Sequence, residues 1–332
     1  MKIAVLGCGA IGGLFLGYLS RKDKDVTGIV RDYQKNVFKQ QGLIISKGGL
    51  DEIIRVKADT KLDEEVDLAI FASKINDLEQ MVQDNLAYLK KATAFSTQNG
   101  LRADYILREY FPENKIITSI VMFGATFYPP NRIINNFDGA LIVGNIFGQK
   151  MSSFKEVLNC LKGIFEISES LDIKGAKYLK LFINLNNCIP ACLGQSMQEV
   201  FSDMDLAKLA IKINQEAYRI VAESGIKLNS LPTYPKERIE GLASMDINQA
   251  ANIFSKVMGS LSKEPLYGSI LQSIKRNKPS EIDYINGEIT KLAQENNLKA
   301  PLNKKIVELV HKIEKGAEFL SKEELLRETE VY

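Results

Sequence analysis

A lysine, two amides and a thiol recur at helical spacing within one otherwise apolar segment, residues 177–194. Offsets of 0, 4, 7 and 8 separate Lys180, Asn184, Asn187 and Cys188. On an α-helix, these offsets would bring the four side chains within about one third of a turn of one another. Buried polar groups without partners are costly, so we expect a polar ligand, bound in a cleft between two domains, to contact this face.

A second candidate site is the glycine-rich turn in the N-terminal run KIAVLGCGAIGG, residues 2–13. The spacing G-x-G-x-x-G follows a predicted strand and opens a predicted helix, which is typical of a dinucleotide-binding unit. The first glycine permits a tight turn, the second lets the backbone approach a pyrophosphate, and the third allows close helix–strand packing. The helix N-terminus offers N–H groups and partial positive charge to the phosphates. We expect cofactor contacts from Gly7, Gly9, Ala10, Ile11 and Gly12.

The end of the second predicted strand bears on which dinucleotide is bound. Enzymes that prefer NAD usually carry Asp or Glu there, hydrogen-bonded to the ribose 2′-OH. This chain has Arg31. Its guanidinium can pair with a 2′-phosphate and stack on the adenine, so the sequence favours NADP (NADPH). The neighbouring Asp32 has two interpretations, as a partner of the 2′-OH or as a cap for the following turn.

Three further segments place polar residues at the predicted ends of strands and helices. Lys74 follows one predicted strand and Asn99 the next, at the sheet edge where such folds bind ligands. Glu281, after Pro279 and Ser280, falls in the first turn of a predicted helix. Each has a structural alternative: a solvated lysine, an Asn-Gly turn, and a carboxylate that complements the helix dipole.

Composition argues against several other functions. Forty-three Lys and Arg residues against forty-one Asp and Glu leave a net charge of +2, so binding of nucleic acid or of a membrane surface is not indicated. No apolar stretch approaches the roughly 20 residues that span a bilayer, and a strand pattern begins at once, so we expect a soluble, cytoplasmic protein. The single histidine, His311, lies on a charged helix, and Cys188 and Cys192 lack His or acidic partners. We therefore expect neither histidine-based catalysis nor a metal site.

The elements that would position these residues divide the chain into two domains. Near-continuous apolar runs alternate with helical patterns over the first part of the chain, which indicates an α/β domain with a Rossmann-type parallel sheet covered on both faces. Its predicted strands are 2–7, 25–30, 67–73, 92–97 and 116–123, its predicted helices are 11–22, 76–90 and 102–111, and an antiparallel hairpin is predicted within 127–148. Helical periodicity dominates from residue 151 on, which predicts an all-α second domain.

The helices predicted for this second domain cover 153–165, 174–192, 198–225, 234–259, 279–297 and 302–315. We expect the boundary near residue 170, with an NADP-binding domain over 1–170 and a helical substrate and catalytic domain over 171–332. The patterns leave open whether the protein is a monomer or a homodimer, and what the segment 226–265 contributes.

Together these motifs resemble the ketopantoate reductase (2-dehydropantoate 2-reductase) family. The resemblance rests, in chain order, on KIAVLGCGAIGG, Arg31, Lys74, Q-N-G at 98–100, K-L-x-x-N from Lys180, and S-I-L-Q (269–272) followed by EIDYING (281–287). The last of these is its most specific element. The resemblance implies an NADPH-dependent reduction of a 2-keto acid, ketopantoate to pantoate, on the route to pantothenate and coenzyme A.

The resemblance also implies roles for individual residues. Lys180 would be the general acid that protonates the carbonyl oxygen, and Glu281 would bind substrate and help set the charge state of the lysine. Burial lowers the pKa of a lysine and a nearby carboxylate raises it, so this pair suits a proton donor. Substrate contacts are further implied for Ser269, with the carboxylate, and for Asn184, with the hydroxyl end. Residues near the nicotinamide ribose and the substrate would be Asn99 and Lys74.

The chain departs from the family pattern at one substrate-binding position. The family usually has a second asparagine eight residues after the lysine, followed by proline, whereas this chain has Cys188 there and Pro190 one residue late. A thiol is a poor hydrogen-bond partner. Asn187 is the nearest residue that could replace the missing amide.

Two other interpretations remain open. A related reductase could act on another 2-keto acid, which the cysteine would favour. A non-catalytic protein that senses NADP(H) is a third possibility, although a sensor would not need both Lys180 and Glu281.

Overall fold

Two compact units make up the chain, Met1–Lys174 and Gly175–Tyr332. The structure is a computed structural model that describes residues 1–260, 262 and 264–330. The first unit contains both sheets, and the second is built from helices. The predicted fold class, an α/β domain followed by an all-α domain, is confirmed.

The strands of the first unit are β1 (Ile3–Leu6), β2 (Val26–Ile29), β3 (Leu43–Lys47), β4 (Leu50–Ile54), β5 (Lys57–Asp59), β6 (Leu68–Phe71), β7 (Thr93–Ser96), β8 (Ile116–Val121), β9 (Gly124–Tyr128), β10 (Arg132–Phe137), β11 (Ala140–Gly144) and β12 (Glu166–Glu169). Its helices are α1 (Ala10–Arg21), α2 (Asp32–Gln41), α3 (Ile75–Leu89), α4 (Arg102–Arg108) and α5 (Phe154–Leu161). A 3-10 turn covers Glu113–Lys115.

The main sheet has eight strands in the order β12-β11-β8-β7-β6-β1-β2-β5. Its strands pair in parallel except for β8 with β11, which are antiparallel. Strand β1 is buried along its whole length and lies between β2 and β6, with Ile3 in register with Val26 on one side and Leu68 on the other. The chain passes to opposite sides of β1, so the edge beyond Leu6 is a topological switch point, where α/β sheets bind ligands.

A second sheet, in the order β4-β3-β10-β9, packs on α1. The close approach depends on Gly13, because a Cβ there would lie 2.0 Å from Cδ1 of Ile133 on β10. The antiparallel hairpin predicted within 127–148 is formed by β9 and β10 and belongs to this small sheet. The next strand, β11, joins the main sheet. Strands β3, β4 and β5 were not predicted: β4 is largely exposed and β5 has three residues, whereas β3 was missed although Leu43 and Ile45 are buried.

The expectation that helices alone follow residue 151 is wrong at one place. Residues 166–169 form β12, which pairs in parallel with β11 at the edge of the main sheet. This strand is short and only partly buried, so it lacks the apolar run that identifies the central strands.

The helices of the second unit, together with the one that leads into it, are α6 (Ile173–Leu185), α7 (Cys188–Leu193), α8 (Met197–Ser202), α9 (Met204–Glu223), α10 (Glu237–Ser244), α11 (Ile247–Gly259), α12 (Ser269–Ile274), α13 (Asn286–Glu295), α14 (Pro301–Glu314) and α15 (Lys322–Thr329). A 3-10 turn covers Ile282–Tyr284. Helix α9 packs against α8, α10, α11, α13 and α14.

Single residues divide three of the long predicted helices. Pro190 has no N–H to continue the helix predicted over 174–192, which ends at Leu185 and restarts as α7. The carboxylate of Asp203 accepts hydrogen bonds from the N–H groups of Asp205 and Leu206 and so begins α9. Asp246 begins α11 in the same way. Such N-caps favour a new helix over continuation of the old one.

No helix in the described part of the chain is long and apolar enough to cross a membrane. Over the same residues, no group of three or more His, Cys, Asp or Glu side chains is placed to hold a metal ion. The segment 226–265, whose role the sequence left open, includes residues 261 and 263, which lie outside the described residues.

Candidate active site

The glycine-rich turn joins β1 to α1 at the switch point of the main sheet. Gly7 has a φ of +95°, and a Cβ there would lie 2.5 Å from the backbone nitrogen of Ser73. At Gly12, a Cβ would lie 2.2 Å from the carbonyl oxygen of Gly7. By contrast, a Cβ at Gly9 would meet no atom within 4 Å. The outer glycines are therefore required by the turn itself, whereas Gly9 faces open space that a ligand can occupy.

Helix α1 presents uncapped N–H groups to this space. Gly9 is its N-cap residue, and no side chain of the described residues caps the helix. The first helical hydrogen bond runs from the N–H of Gly13 to the carbonyl oxygen of Gly9, so the N–H groups of Ala10, Ile11 and Gly12 have no partner within the helix. Such a helix N-terminus attracts anions, so the turn fits the pyrophosphate of a dinucleotide.

Arg31 lies just after β2, as the N-cap residue of α2, with an exposed side chain. Its main chain is held by Gln34: the side-chain oxygen of Gln34 accepts from the N–H of Arg31 (3.3 Å), and its amide nitrogen donates to the carbonyl oxygen of Cys8 (3.4 Å). Gln34 is buried and links the glycine-rich turn to the end of β2. Asp32 is the first residue of α2 and not its cap. Gln34 was not predicted from the sequence, where its only signal is a glutamine three residues after the N-cap residue.

A second pair of strand ends carries Lys74 and Asn99. Lys74 is the N-cap residue of α3, three residues after β6 ends. A cation is unfavourable at a helix N-terminus, so helix stability does not explain this lysine. The amide of Gln98, also missed by the sequence analysis, donates to the carbonyl oxygens of Phe71 and Ser73, each at 3.1 Å. This bond fixes the segment before Lys74 to the turn that carries Asn99.

Ser73 adds a polar group to this edge of the sheet. Its hydroxyl oxygen is buried and has no hydrogen-bond partner among the described residues. The residue packs against the glycine-rich turn through Gly7. Unpaired buried hydroxyls are uncommon, and they often mark sites where a ligand or water completes the hydrogen bonding.

In the second unit, Lys180 and Asn184 lie one helical turn apart on α6, and both are partly exposed. Burial lowers the pKa of Lys180 from its ordinary value. A lysine with a lowered pKa exchanges its proton near neutral pH more readily than a solvated one. This amine is therefore suited to proton transfer.

The four-residue face predicted on one helix is interrupted after Asn184. Helix α6 ends at Leu185, and a turn over Asn186 and Asn187 precedes α7. Cys188 is fully buried, its thiol donates to the carbonyl oxygen of Leu185 (3.1 Å), and burial raises the pKa of the thiol to about 12. It is a neutral packing group at physiological pH. The amide oxygen of Asn186 is buried and has no hydrogen-bond partner among the residues that the structure describes.

The turn after α6 lies beside the start of α12. A Cβ at Gly268 would lie 3.1 Å from both Cβ and Cγ of Asn187. Gly268 is the N-cap residue of α12, and Ser269, its first residue, is exposed. The structure thus brings Asn187 and Ser269 into one neighbourhood, although 82 positions separate them in the sequence (269 − 187).

The sequence predicted Glu281 in the first turn of an α-helix, and the structure places it elsewhere. It is the N-cap residue of the 3-10 turn Ile282–Tyr284, and α13 begins only at Asn286. Its carboxylate is partly exposed. Compensation of the dipole of α13 therefore does not explain it. The side chain of Asn286 lowers the pKa of the Cys188 thiol against the larger effect of burial, so the segment after Glu281 lies near the start of α7.

Comparisons with known proteins identify the family of the chain. A dinucleotide-binding α/β unit followed by a helical unit that carries a partly exposed lysine fits a nicotinamide-dependent oxidoreductase. The family model "Ketopantoate reductase PanE/ApbA" matches residues 3–148, and its C-terminal model matches residues 172–314. The chain belongs to the ketopantoate reductase family.

Several relatives cover almost the whole chain. A 2-dehydropantoate 2-reductase of Pyrococcus abyssi is 29% identical over 309 residues, which is 91% of this chain and 94% of that protein. One from Streptococcus pyogenes is 24% identical over 319 residues, 94% of this chain and 97% of that protein.

Solved structures show the same fold. The ternary structure of D-mandelate dehydrogenase with NADH and anilino(oxo)acetate has a TM-score of 0.81 at 23% identity, covering 95% of this chain and 99% of that one. A PanE/ApbA family ketopantoate reductase from Ralstonia eutropha has a TM-score of 0.79 at 22% identity, with the same coverage of both chains.

Two glycine substitutions separate the structural from the ligand-binding role of the turn. Gly9→Ala should leave the free energy of unfolding within about 0.5 kcal/mol of wild type, since its Cβ meets no atom. It should weaken binding of nicotinamide dinucleotide about 10-fold, the equivalent of one hydrogen bond to a charged group. Urea unfolding and fluorescence titration measure the two effects.

Gly7→Ala is the matched comparison. Its Cβ would clash with Ser73 at a positive φ, so we expect a loss of about 1–3 kcal/mol in the free energy of unfolding. Unchanged dinucleotide affinity in Gly9→Ala would contradict the assignment of the open space to the pyrophosphate.

Proposed function

We propose that this chain reduces 2-dehydropantoate (ketopantoate) to pantoate with NADPH, a step toward pantothenate and coenzyme A, in the cytoplasm. The observation that carries the proposal is the partly exposed Lys180 with its lowered pKa, one helical turn from Asn184. Membership of the ketopantoate reductase family and the names of the curated relatives support the reaction class. Residues 1–170 would bind the cofactor and 171–332 would supply the substrate site.

In this proposal, Lys180 is the general acid. NADPH, when bound, supplies a hydride to the carbonyl carbon of the keto acid. The ammonium of Lys180 donates a proton to the carbonyl oxygen, so that the negative charge developing there is neutralised as it forms. Burial favours this transfer because it destabilises the charged amine relative to the neutral product.

The other residues would bind and orient the substrate. Glu281 is proposed to contact the substrate and to keep Lys180 protonated, since a nearby carboxylate raises the pKa of an amine. The hydroxyl of Ser269 would hold the substrate carboxylate. Asn184 and Asn187 would contact the opposite end of the substrate, and the placement of Asn187 beside the start of α12 supports its inclusion.

The cofactor would be held by the first unit. The N–H groups at the start of α1 suit the pyrophosphate, and the exposed guanidinium of Arg31 suits a 2′-phosphate. Lys74 and Asn99, at neighbouring strand ends, would contact the nicotinamide ribose and the substrate. Preference for NADPH over NADH rests on Arg31.

A second candidate function is the reduction of another 2-keto acid, and Cys188 favours it. This residue stands where the family usually has an asparagine, and its thiol is buried and bonded to the main chain. A site that lacks this amide loses a hydrogen bond to a hydroxylated substrate. An apolar side chain at the far end of the keto acid would be accommodated at lower cost.

A substrate panel tests the proposal directly. Oxidation of NADPH and of NADH is followed with ketopantoate, 2-ketoisovalerate, 2-ketoisocaproate and phenylglyoxylate. We expect the highest kcat/KM with NADPH and ketopantoate. A higher kcat/KM with one of the unhydroxylated acids would establish the second candidate instead. Tight NADPH binding with no turnover on any acid would contradict both and indicate a sensor. Gel filtration of the same protein decides between monomer and homodimer.

Lys180→Ala tests the general acid. We expect kcat/KM to fall by about 10²- to 10⁴-fold, the usual range for a general acid, while the Kd for NADPH changes little. The matched control is Lys174→Ala, which removes an exposed lysine from the first turn of the same helix. Activity of Lys180→Ala within a few-fold of wild type would remove this lysine from the role.

Arg31→Ala tests cofactor preference. One charge-assisted hydrogen bond is worth roughly 1.5–3 kcal/mol, so we expect the ratio of NADPH to NADH affinity to drop by about 10- to 100-fold. Arg55→Ala, which removes another exposed arginine of the same unit, serves as the control. An unchanged ratio would show that Arg31 does not recognise the 2′-phosphate.

A further inference from the structure

The only histidine of the chain, His311, bridges two carboxylates on the surface of the second unit. Its Nδ1 lies 2.8 Å from Oε2 of Glu314, in the last turn of α14, and its Nε2 lies 2.9 Å from Oδ1 of Asp283, in the 3-10 turn Ile282–Tyr284. The imidazole therefore links α14 to the segment that carries Glu281.

Glu314 ties the same segment at a second point. Its Oε1 accepts a hydrogen bond from the backbone N–H of Ser280 at 2.7 Å. Ser280 is buried, and its hydroxyl oxygen accepts from the N–H of Ile282 (3.2 Å). Glu281 thus lies between two residues, Ser280 and Asp283, that are both held to α14.

The two contacts of the imidazole require its charged form. Imidazolium carries a hydrogen on each ring nitrogen and can donate to both carboxylates, whereas neutral imidazole has one N–H and would turn a lone pair toward the other carboxylate. Of the two, Asp283 is the weaker anchor, since its side chain is 54% exposed against 13% for Glu314. Loss of the proton therefore releases Asp283 first.

The charged groups around His311 favour the proton. Burial disfavours the charge, but hydrogen bonds from the ring to Asp283 and Glu314 outweigh it and raise the pKa of His311. Burial likewise opposes ionisation of Glu314, yet hydrogen bonds from Ser280 and His311 lower the pKa of that carboxyl.

The other elements packed on α14 are α7, α9, α13 and α15. Helix α7 contains no charged residue. From α9, Glu216 accepts from the N–H groups at the opposite end of α14, and from α15, Glu328 pairs with Lys305. The charged residues of α13 are Glu288, Lys291 and Glu295, and the latter two pair with each other. The cations beside the histidine are Lys312, on its own helix, and Lys315, the C-cap residue of that helix.

We propose that His311, as the imidazolium, is a positioning residue that holds the main chain around Glu281 against α14, and that this hold is released as the histidine loses its proton. The proposal rests on the function proposed above, since it assigns a purpose to the placement of Glu281. Because the histidine binds its proton more tightly in the folded chain, the tether is complete below the ordinary pKa of about 6.5 and is lost as pH rises through the raised value.

Nuclear magnetic resonance with ring-15N histidine tests the tether without reference to activity. A single pair of ring-nitrogen signals reports His311 because the chain has one histidine. We expect the titration midpoint to lie above that of free histidine and to fall in Asp283→Asn and in Glu314→Gln. The control, Lys312→Gln, removes a neighbouring cation and should not lower the midpoint. A wild-type midpoint at or below that of free histidine would overturn the proposal.

Hydrogen exchange of the segment 279–285 tests the release. After correction for intrinsic rates, its amides should exchange faster in wild type above the titration midpoint of His311 than below it. In His311→Gln, exchange should be fast on both sides of that pH, because glutamine has one N–H₂ group and cannot bridge both carboxylates. Exchange that does not change across the midpoint in wild type would overturn the proposal.

Kinetics link the tether to catalysis. With the keto acid that gives the best turnover, His311→Gln should lower kcat/KM on the order of 10-fold below the titration midpoint, since small displacements of a catalytic group are costly. Above the midpoint, wild type should fall toward the variant. The ratio of the wild-type kcat/KM to that of His311→Gln removes the pH dependence that both proteins share through the titration of Lys180. A ratio that stays constant with pH would indicate a structural role and overturn the proposal.

Two further variants keep this test separate from the proposed function. If His311→Gln does not fold, Asp283→Asn gives the same readout from an exposed position. If Glu281→Gln retains full activity, the role of Glu281 in the proposed function fails, whatever His311 does. If Glu281→Gln loses activity and the ratio of wild-type to His311→Gln kcat/KM does not change with pH, the proposed function stands. The positioning role of His311 is then rejected.

Discussion

The close approach of two strand ends is the constraint on which the first unit depends. The turn after β1 passes so near the backbone of Ser73, after β6, that only glycine fits at position 7. The side-chain amide of Gln98 donates to the carbonyl oxygen of Ser73 and so fixes the same segment. Gln34 ties the glycine-rich turn to the end of β2. Four strand ends therefore form one rigid edge. The uncapped helix N-terminus is oriented by this edge and not by the ligand, so little ordering remains to oppose binding.

In the second unit, the hydrogen-bond partners of polar groups determine where the helices begin and end. Helices that are predicted as continuous from the sequence are divided in the structure. The divisions fall where a carboxylate caps a new helix, as at Asp203 and Asp246, or where Pro190 lacks an N–H. These interruptions place short helices beside one another, and the turn at Asn187 meets the start of α12 because of one of them. The breaks in the helices therefore set which side chains of the second unit become neighbours.

Much of this could be predicted from the chain because the signals are local. The glycine motif, the buried strands of the main sheet and the division into α/β and helical parts follow from spacing and apolar periodicity, and the structure confirms them. Strands β4 and β12 escaped because they are exposed edges without an apolar run. Gln34 and Gln98 were missed because they donate to carbonyl oxygens distant in sequence, and the context of Glu281 was missed because a 3-10 turn precedes α13. The helical face predicted from Lys180 to Cys188 was wrong past Leu185, since periodicity does not register where a helix stops.

The way Arg31 is held has a consequence for how such a protein changes over evolution. Its backbone N–H and carbonyl group are both hydrogen-bonded to Gln34, while its guanidinium is exposed. The scaffold thus uses only the main chain at this position. Under the proposed function, a mutation there would change which dinucleotide is preferred with little effect on folding, so selection could adjust the cofactor independently of the requirement to fold.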